Sequence, residues 1–207
     1  MAEERGISDE KVRDATGRAP AEWETMLDAR GAADLSHKQI VALLEELGVE
    51  SGWWMQMLAV DYERRKGKRA VGQTAAAGFN IGVQRTVPLS AHDAWRLLTS
   101  PDGVRAWLGG APKLQWEKGE RYTLEDGSGG EVRVFEPGSH LRITWGPEGW
   151  PRASTIQVRV TPSGERKSVI TLHQEHLPGA AEREERRRFF EAALEALQEK
   201  VKTKANA

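Results

Sequence analysis

The sequence predicts an α+β protein in which a small all-α bundle precedes an antiparallel sheet packed around one long C-terminal helix. Residues 1–66 show only the helical spacing of apolar residues. From residue 79 onward, short alternating segments are separated by turn dipeptides, and the chain closes on a long amphipathic segment. We therefore expect a helical domain at 1–66, a Gly- and Ala-rich linker at 67–78 and a sheet-containing domain at 79–204.

Four short helices account for the first domain, at 8–15, 20–31, 36–48 and 51–66. Each begins at a serine or a proline, residues that favour helix N-termini, and Gly31 and Gly48 end the second and third. Apolar residues recur at helical spacing and predict the inward faces: Trp23, Met26, Leu27, Ile40, Leu43, Leu44, Leu47, Trp54, Met57, Leu58 and Tyr62. Four short helices of this kind support only a thin core.

The second domain opens with a strand over Phe79–Val87, where apolar residues alternate with small or polar ones. Two short helices follow, one capped by Ser90 and one opened by Pro101 and ended by Gly109. Turn dipeptides such as those at 126–127 and 137–138 favour antiparallel hairpins. Six further strands are expected, at 114–116, 121–125, 131–136, 140–145, 155–161 and 168–175.

The last helix is predicted over 180–202. Its apolar stripe consists of Phe190, Ala193, Leu194, Leu197 and Val201. The run Glu182–Arg188 has mixed charges at i, i+4 spacing, which is typical of an exposed helix face. Because an antiparallel sheet of this length buries one face, we expect that face to lie against this helix and to leave a cavity between the two.

Composition excludes several classes of function but assigns none. Lys and Arg number 30 against 31 Asp and Glu, and this balance argues against nucleic-acid binding driven by charge. Cysteine is absent, which excludes disulfides, thiol nucleophiles and cysteine metal sites. No apolar run reaches the length of a membrane span, and the charged N-terminus is not a signal peptide, so we expect a cytoplasmic protein without membrane contact.

Three segments of the second domain resemble the START-like (SRPBCC) superfamily, and within it the heat-shock-protein ATPase activator homologue family. They are VQRTVPLSAHDAWRLLTSPDGVRAWLGG, GGEVRVFEPGSHLRITWG and SVITLHQEHLPGAAEREERRRFFEAALEALQEKV. The shared pattern places Trp95 and Trp107 on the two short helices and Trp145 at the end of a strand. The sequence departs from it at Phe189-Phe190, where members often have a Gly-Trp pair.

The first domain resembles a small helical domain of unknown function that precedes this family in some bacterial proteins. The similar segments are TGRAPAEWETMLDARG, Ser36-His37-Lys38 and GWWMQMLAVDYERRKGKR. Together the two resemblances imply a bacterial cytoplasmic protein with the helix-grip fold and a cavity for a small lipophilic molecule. They imply no single activity, because this fold carries several functions.

Aromatic residues are the best candidates for binding such a molecule, since the chain has eight Trp against four Phe and two Tyr. Flat apolar rings with one polar tip suit an aromatic or polycyclic ligand. Members of the set come from the second short helix, the sheet, a loop and the last helix. The predicted ligand-binding residues are Trp107, Trp116, Tyr122, Trp145, Trp150 and Phe190. No cofactor and no metal is expected.

An enzyme of the polyketide-cyclase or hydrolase kind is the first alternative, although the sequence leans against catalysis. It needs an acid or base inside the cavity, and the candidates are Glu131, His140, Arg142 and His173. Alternation places His173 and Glu175 on one face of their strand, but a single bulge reverses the faces of a strand. The inward or outward orientation of these residues therefore stays open.

A chaperone cofactor or adaptor protein is the other alternative, with the helical domain and Trp53 contacting a protein partner. The eukaryotic activator of the chaperone ATPase carries a different N-terminal domain. Ile40–Tyr62 also has the outline of a helix-turn-helix that binds DNA weakly. Basic residues for phosphate contacts follow: Arg64, Arg65, Lys66, Lys68 and Arg69. However, the second helix of this pair begins with Trp53-Trp54, where polar base-reading side chains are needed.

Overall fold

A computed structural model describes residues 7–70, 72–74 and 78–205 of the chain. The chain divides into two compact units, residues 1–71 and 72–207. The predicted α+β arrangement is confirmed: an all-α bundle precedes an antiparallel sheet with a long C-terminal helix. Residues 71 and 75–77 of the segment predicted as a linker lie outside the described residues.

The first unit contains four helices. They are α1 Asp9–Thr16, α2 Pro20–Asp28, α3 His37–Glu46 and α4 Gly52–Arg65. A 3-10 turn at Ala32–Asp34, which the sequence did not indicate, follows Gly31 in the left-handed conformation. On α4 the buried methionine is Met55, whereas Met57, predicted to face inward, is half-buried.

The basic residues after α4 are engaged within the helical unit. Lys66 Nζ lies 2.6 Å from Asp28 Oδ2, and Arg69 Nε lies 3.1 Å from Glu63 Oε2. Lys68 donates to the carbonyl oxygens of Ala33 and Leu35. Because these cations bind groups of their own unit, they offer less positive charge to a phosphate backbone than the sequence suggested.

The second unit is a seven-stranded, fully antiparallel sheet with the strand order β1-β2-β7-β6-β5-β4-β3. Its helices are α5 Ala91–Thr99, α6 Pro101–Leu108 and α7 Ala180–Ala205. The strands are β1 Gln73–Thr74, β2 Gly78–Val87, β3 Arg121–Thr123, β4 Gly129–Glu136, β5 His140–Trp145, β6 Ser154–Gly164 and β7 Lys167–Leu177. β6 and β7 are longer than predicted, since the ladder continues from Pro162 to Gly164.

One face of this sheet, here called the inner face, packs against α7 in a single apolar core. Leu141 and Ile143 of β5 and Ile156 and Val158 of β6 belong to it, and all four are fully buried. All five residues of the predicted α7 stripe are buried, and four of them, Phe190, Ala193, Leu194 and Leu197, belong to this core. The opposite, outer face carries the polar residues of the same strands, as the alternation of burial along β5 shows.

The strand predicted at 114–116 is absent. This segment connects α6 to β3 without regular structure, and Trp116 has a φ of 63°, in the left-handed region that an extended strand does not use. The seventh strand is instead β1, which pairs with the start of β2 inside the segment predicted as a linker. An alternation over only three residues is too short to distinguish a strand from a loop.

The close approach of α6 to α5 yields a stability prediction. A Cβ added at Gly103 on α6 would overlap the carbonyl oxygen of Leu97, whereas one added at Gly52 on α4 would meet open space. We expect Gly103→Ala to lower the free energy of unfolding by about 1–3 kcal/mol through overpacking. Gly52→Ala, the matched control, should be neutral or stabilising by up to about 1 kcal/mol, because alanine favours helix.

Thermal and denaturant unfolding of the full chain, followed by circular dichroism, measure both variants against wild type. Equal effects of the two substitutions would contradict the close α5–α6 contact.

Candidate functional site

The first half of α7 places a buried arginine on the inner face of the sheet. Arg186 lies one turn before Phe190 on the apolar stripe, so the packing that buries Phe190 carries Arg186 inward as well. Its side chain is only 7% exposed. The Arg186 Cζ atom lies 4.3 Å from the ring centroid of Trp145, 4.4 Å from that of Phe189 and 4.8 Å from that of Phe190.

A chain of buried hydrogen bonds holds the guanidinium group in place. Arg186 Nε donates to Gln174 Oε1 at 2.8 Å, and Gln174 Nε2 donates to Ser154 Oγ at 2.7 Å. Ser154 Oγ in turn donates to the carbonyl oxygen of Trp145 at 2.6 Å. Gln174 and Ser154 are fully buried, so this chain fixes the orientation of the arginine relative to the sheet.

Two donors beside this chain have no hydrogen-bond partner among the described residues: Arg186 Nη2 and Trp145 Nε1. Each atom is buried, and an unpaired buried donor costs about 1–3 kcal/mol. We refer to Arg186, Trp145, Trp150, Phe189 and Phe190 as the Arg186 cluster. It combines an apolar, aromatic surround with two unsatisfied N–H groups, which is the composition of a small-molecule site.

The charged group of the Arg186 cluster is the buried guanidinium cation of Arg186 itself. Burial lowers the pKa of Arg186 to about 10, although Glu185, Tyr122 and Asp126 act in the opposite direction. None of the carboxylates in the described residues forms an ion pair with Arg186. Burial raises the pKa of Tyr122, whose hydroxyl donates to the carbonyl oxygen of Thr144 at 2.7 Å. Tyr122 is therefore neutral and supplies no negative charge.

The loop between β5 and β6 covers one side of the Arg186 cluster with Trp150. The rings of Trp150 and Trp145 meet edge to face, with centroids 5.6 Å apart and planes at 84°. Trp150 is half-buried and follows Gly149, whose φ of 89° allows the loop to turn.

Four of the six predicted ligand-binding residues come together here. Trp145, Trp150 and Phe190 belong to the Arg186 cluster, and Tyr122 interacts electrostatically with Arg186. Trp107 and Trp116 have different surroundings.

Trp107 is fully buried, and its Nε1 donates to the carbonyl oxygen of Leu98 at 2.9 Å, which ties α6 to α5. Trp116 stacks on Phe135 with ring centroids 5.5 Å apart, and Phe135 contacts Trp95. These contacts give both residues a packing role.

Sequence reasoning missed Arg186, and the prediction that Glu182–Arg188 is an exposed face is wrong for two of its residues. Arg183 and Arg186 are buried, while Glu185 and Arg188 are exposed. The error arose because every residue of the run is charged, so hydropathy carried no signal. Position was the available signal: Arg186 precedes Phe190 by four residues and Ala193 by seven, on the same helix face.

The residues considered as catalytic acids or bases all lie on the outer face. His140 and Arg142 alternate along β5 with the buried Leu141 and Ile143, and Arg142 pairs with Glu175 at 3.3 Å. His173 Nδ1 lies 3.7 Å from Glu175 Oε1, so the predicted shared face of these two residues is confirmed. Glu131 pairs with Arg133 at 2.9 Å on the same side.

The outer face also holds a groove with a volume of about 520 Å³. It is lined by Arg133, Val134, Arg142, Thr144, Arg152, Ala153 and Thr155. Two of its arginines already have carboxylate partners, and the groove is open and polar. These features fit a solvated sheet surface better than a site for an apolar molecule. The described residues contain no group of three or more side chains able to hold a metal ion, and none of their helices is long and apolar enough to cross a membrane.

Comparison with known proteins supplies a family match. The sequence model of the family described as “Activator of Hsp90 ATPase homolog 1-like protein” matches residues 88–202. No curated protein matches the chain at a significant level.

Three solved structures are similar to the sheet-containing unit. Protein MLL2253 from Mesorhizobium loti is 19% identical with a TM-score of 0.52, over 58% of this chain and 94% of its own. CalU16 from Micromonospora echinospora is 24% identical with a TM-score of 0.52, over 63% and 80%. DynU16, a protein in the dynemicin biosynthetic locus, is 19% identical with a TM-score of 0.51, over 60% and 47%. At these identities the likeness shows the fold alone.

The outer-face placement of His173 yields a prediction with opposite signs for two substitutions. Burial lowers the pKa of His173, Glu175 raises it and Arg142 lowers it. Glu175→Gln should therefore lower the pKa of His173 further, because a nearby negative charge stabilises the imidazolium ion. Arg142→Gln should raise that pKa. Titration of the imidazole signals by NMR measures both shifts, with the signal of exposed His92 as the internal control. Shifts of the same sign in both variants would contradict the arrangement.

Proposed function

Because residues 88–202 make this chain a member of the family of Activator of Hsp90 ATPase homolog 1-like proteins, we propose that it binds a small hydrophobic or aromatic molecule between sheet and α7. The site we propose is the Arg186 cluster. The observation that carries this proposal is the group of rings around one buried guanidinium group: Trp145, Phe189 and Phe190 all lie within 5 Å of Arg186 Cζ.

The apolar surface of these rings favours an aromatic ligand. A planar molecule can pack edge to face or offset against Trp145 and Trp150 and gain about 0.5–1.5 kcal/mol per ring pair beyond burial of its area. Phe190 is fully buried and forms a rigid wall on α7. The half-buried Trp150 occupies the loop side, and we propose that the ligand enters by displacing its ring.

Binding without catalysis fits the ionisable groups near this site better than an enzyme does. A cyclase or hydrolase needs a general acid or base within hydrogen-bond reach of its substrate. Glu131, His140 and His173 lie on the outer face, away from α7. Arg186 and Tyr122 are both donors at neutral pH, able to orient a ligand but poorly suited to accept a proton. The carboxylates of Glu185 and Asp126 act on Arg186 electrostatically, but both side chains are exposed.

A second function, binding of a protein partner by the helical unit, is favoured by one observation. Trp53 at the start of α4 is 56% exposed, and its ring meets that of Trp54 edge to face, with centroids 4.7 Å apart. Tryptophan is enriched at the centres of protein interfaces. A large exposed ring of this kind is the anchor that an adaptor function requires.

Quantitative mass spectrometry after affinity purification of the full chain from its host tests this second function. We expect Trp53→Ser to lose at least one protein that wild type and Arg188→Met, a control in the other unit, both recover. Recovery of the same proteins by all three chains would exclude Trp53 as an anchor.

The neutral dye N-phenyl-1-naphthylamine tests the proposed ligand site. We expect its fluorescence to rise on binding wild type. Trp150→Ala should weaken binding about tenfold, or about 1.4 kcal/mol, because one aromatic wall of the site is lost. Trp145→Ala should act in the same direction. Fluorescence titration, with circular dichroism to verify folding, measures the effect.

Trp116→Ala is the control for this experiment, because Trp116 belongs to the separate group with Phe135 and Trp95. It should leave the affinity within about twofold of wild type, a difference of less than half a kcal/mol. Binding that depends on Trp116 and not on Trp150 would move the site to the other ring group, and no binding to wild type would contradict the proposed function.

A further inference from the structure

We infer that the Arg186 cluster recognises an anionic oxygen on its aromatic ligand, such as a carboxylate, phenolate or sulfonate, through Arg186 Nη2 and Trp145 Nε1. This inference rests on the proposed function and deepens it from a hydrophobic molecule to an aromatic acid. It makes Arg186 the residue that determines ligand specificity.

Two neighbouring side chains of the Arg186 cluster each carry a buried donor that has no acceptor in the described part of the chain. Arg186 Nη2 and Trp145 Nε1 are buried and without partners, and they belong to side chains in direct contact, with Arg186 Cζ 4.3 Å from the Trp145 ring. Folded proteins satisfy more than nine in ten buried polar groups. Two exceptions in contact with each other, both donors, indicate a missing acceptor that both can reach.

Buried hydrogen bonds fix the orientation of the Arg186 guanidinium group. Gln174 accepts from Nε and is itself held by Ser154, so the arginine cannot turn to seek another partner without breaking buried hydrogen bonds. The Nε–H of the guanidinium group is thus used for structure, while Nη2 is left for a ligand. Groups held in this way bind with little loss of conformational entropy.

Arg186 also lacks an ion-pair partner for its positive charge among the described residues. A buried cation is stable only when it is paired or hydrogen-bonded, and no carboxylate of the described residues forms an ion pair with Arg186. The rings in contact with its guanidinium group, those of Trp145, Phe189 and Phe190, are uncharged. The carboxylates of Glu185 and Asp126 act on it electrostatically, but both residues are exposed and neither forms an ion pair with it. An anionic ligand would supply the missing charge and accept charge-assisted hydrogen bonds, which are about twice as strong as neutral ones.

Two dyes that differ by one sulfonate test this inference. N-phenyl-1-naphthylamine is neutral, and 8-anilinonaphthalene-1-sulfonate is the same ring system with an anionic group. We expect wild type to bind the sulfonate about tenfold or more tightly than the neutral dye. Arg186→Met should weaken the sulfonate about 10- to 100-fold and the neutral dye less than about threefold, the effect of losing one charged hydrogen bond. Fluorescence titration gives both dissociation constants.

Matched variants separate recognition from packing. Arg188→Met removes the same charge from an exposed position of α7 and should change neither dye. Trp145→Phe keeps a ring but removes Nε1, so it should weaken the sulfonate selectively. Trp150→Phe should weaken both dyes alike. Arg186→Lys, which keeps the charge but not the fork of donors, should recover part of the sulfonate affinity.

The outcomes distinguish this inference from the function on which it rests. If wild type binds the neutral dye at least as tightly as the sulfonate, or if Arg186→Met weakens both equally, the anion site is wrong while the apolar site stands. If Arg152→Met, in the outer groove, weakens the sulfonate and Arg186→Met does not, the anion binds the outer face instead. If neither dye binds wild type, the proposed function and this inference fail together.

Discussion

The packing of α7 against the inner face of the sheet is the constraint from which the rest of the second unit follows. The stripe from Phe190 to Val201 is buried along its whole length, and each large side chain so buried contributes about 1.5–3 kcal/mol. This burial sets the rotation of the helix about its axis. With the rotation set, the positions four and seven residues before Phe190 also face the sheet, and Arg183 and Arg186 occupy them. Both arginines are buried because burial of the apolar stripe fixes the rotation of the helix that carries them.

The packing of the sheet against α7 also determines which face its polar residues occupy. Once Leu141 and Ile143 face α7, the alternation of a strand sends His140 and Arg142 to the other side. Register then aligns Arg142 with Gln157, and Gln157 with His173, so that the polar residues of β5, β6 and β7 share the outer face. Among the described residues, the region around Arg186 on the inner face carries apolar rings and hydrogen-bond donors, whereas His140, Arg142 and His173 lie on the outer face. The register of the sheet as a whole, beyond the identity of any single residue, produces this division.

Much of this fold could be predicted from the sequence, because its strongest signals are long. The α7 stripe recurs over three turns, and β5 was predicted at its observed bounds from a run of strict alternation. The segment 114–116 failed because three residues do not define a period, and β1 escaped notice because two residues define even less. The rings of the candidate site, Trp145, Trp150 and Phe190, were among the residues that the sequence indicated. Arg186 was not, since hydropathy assigns every arginine to the surface and only the helix rotation, a tertiary property, reverses that assignment.

A buried arginine that forms no ion pair with the described residues would also link ligand binding, as proposed, to stability. Replacing buried charges by apolar side chains of similar size often stabilises a protein, so an apolar residue at position 186 would suit the core better than arginine does. A ligand that binds only the folded state contributes RT ln(1 + [L]/Kd), about 2.7 kcal/mol when its concentration is a hundred times Kd. An acceptor that also satisfies Arg186 Nη2 and Trp145 Nε1 would remove the cost of leaving these two buried donors unpaired. The ligand would then complete the core of the second unit, and closure of Trp150 over it would be favoured by the contacts that make the interior stable.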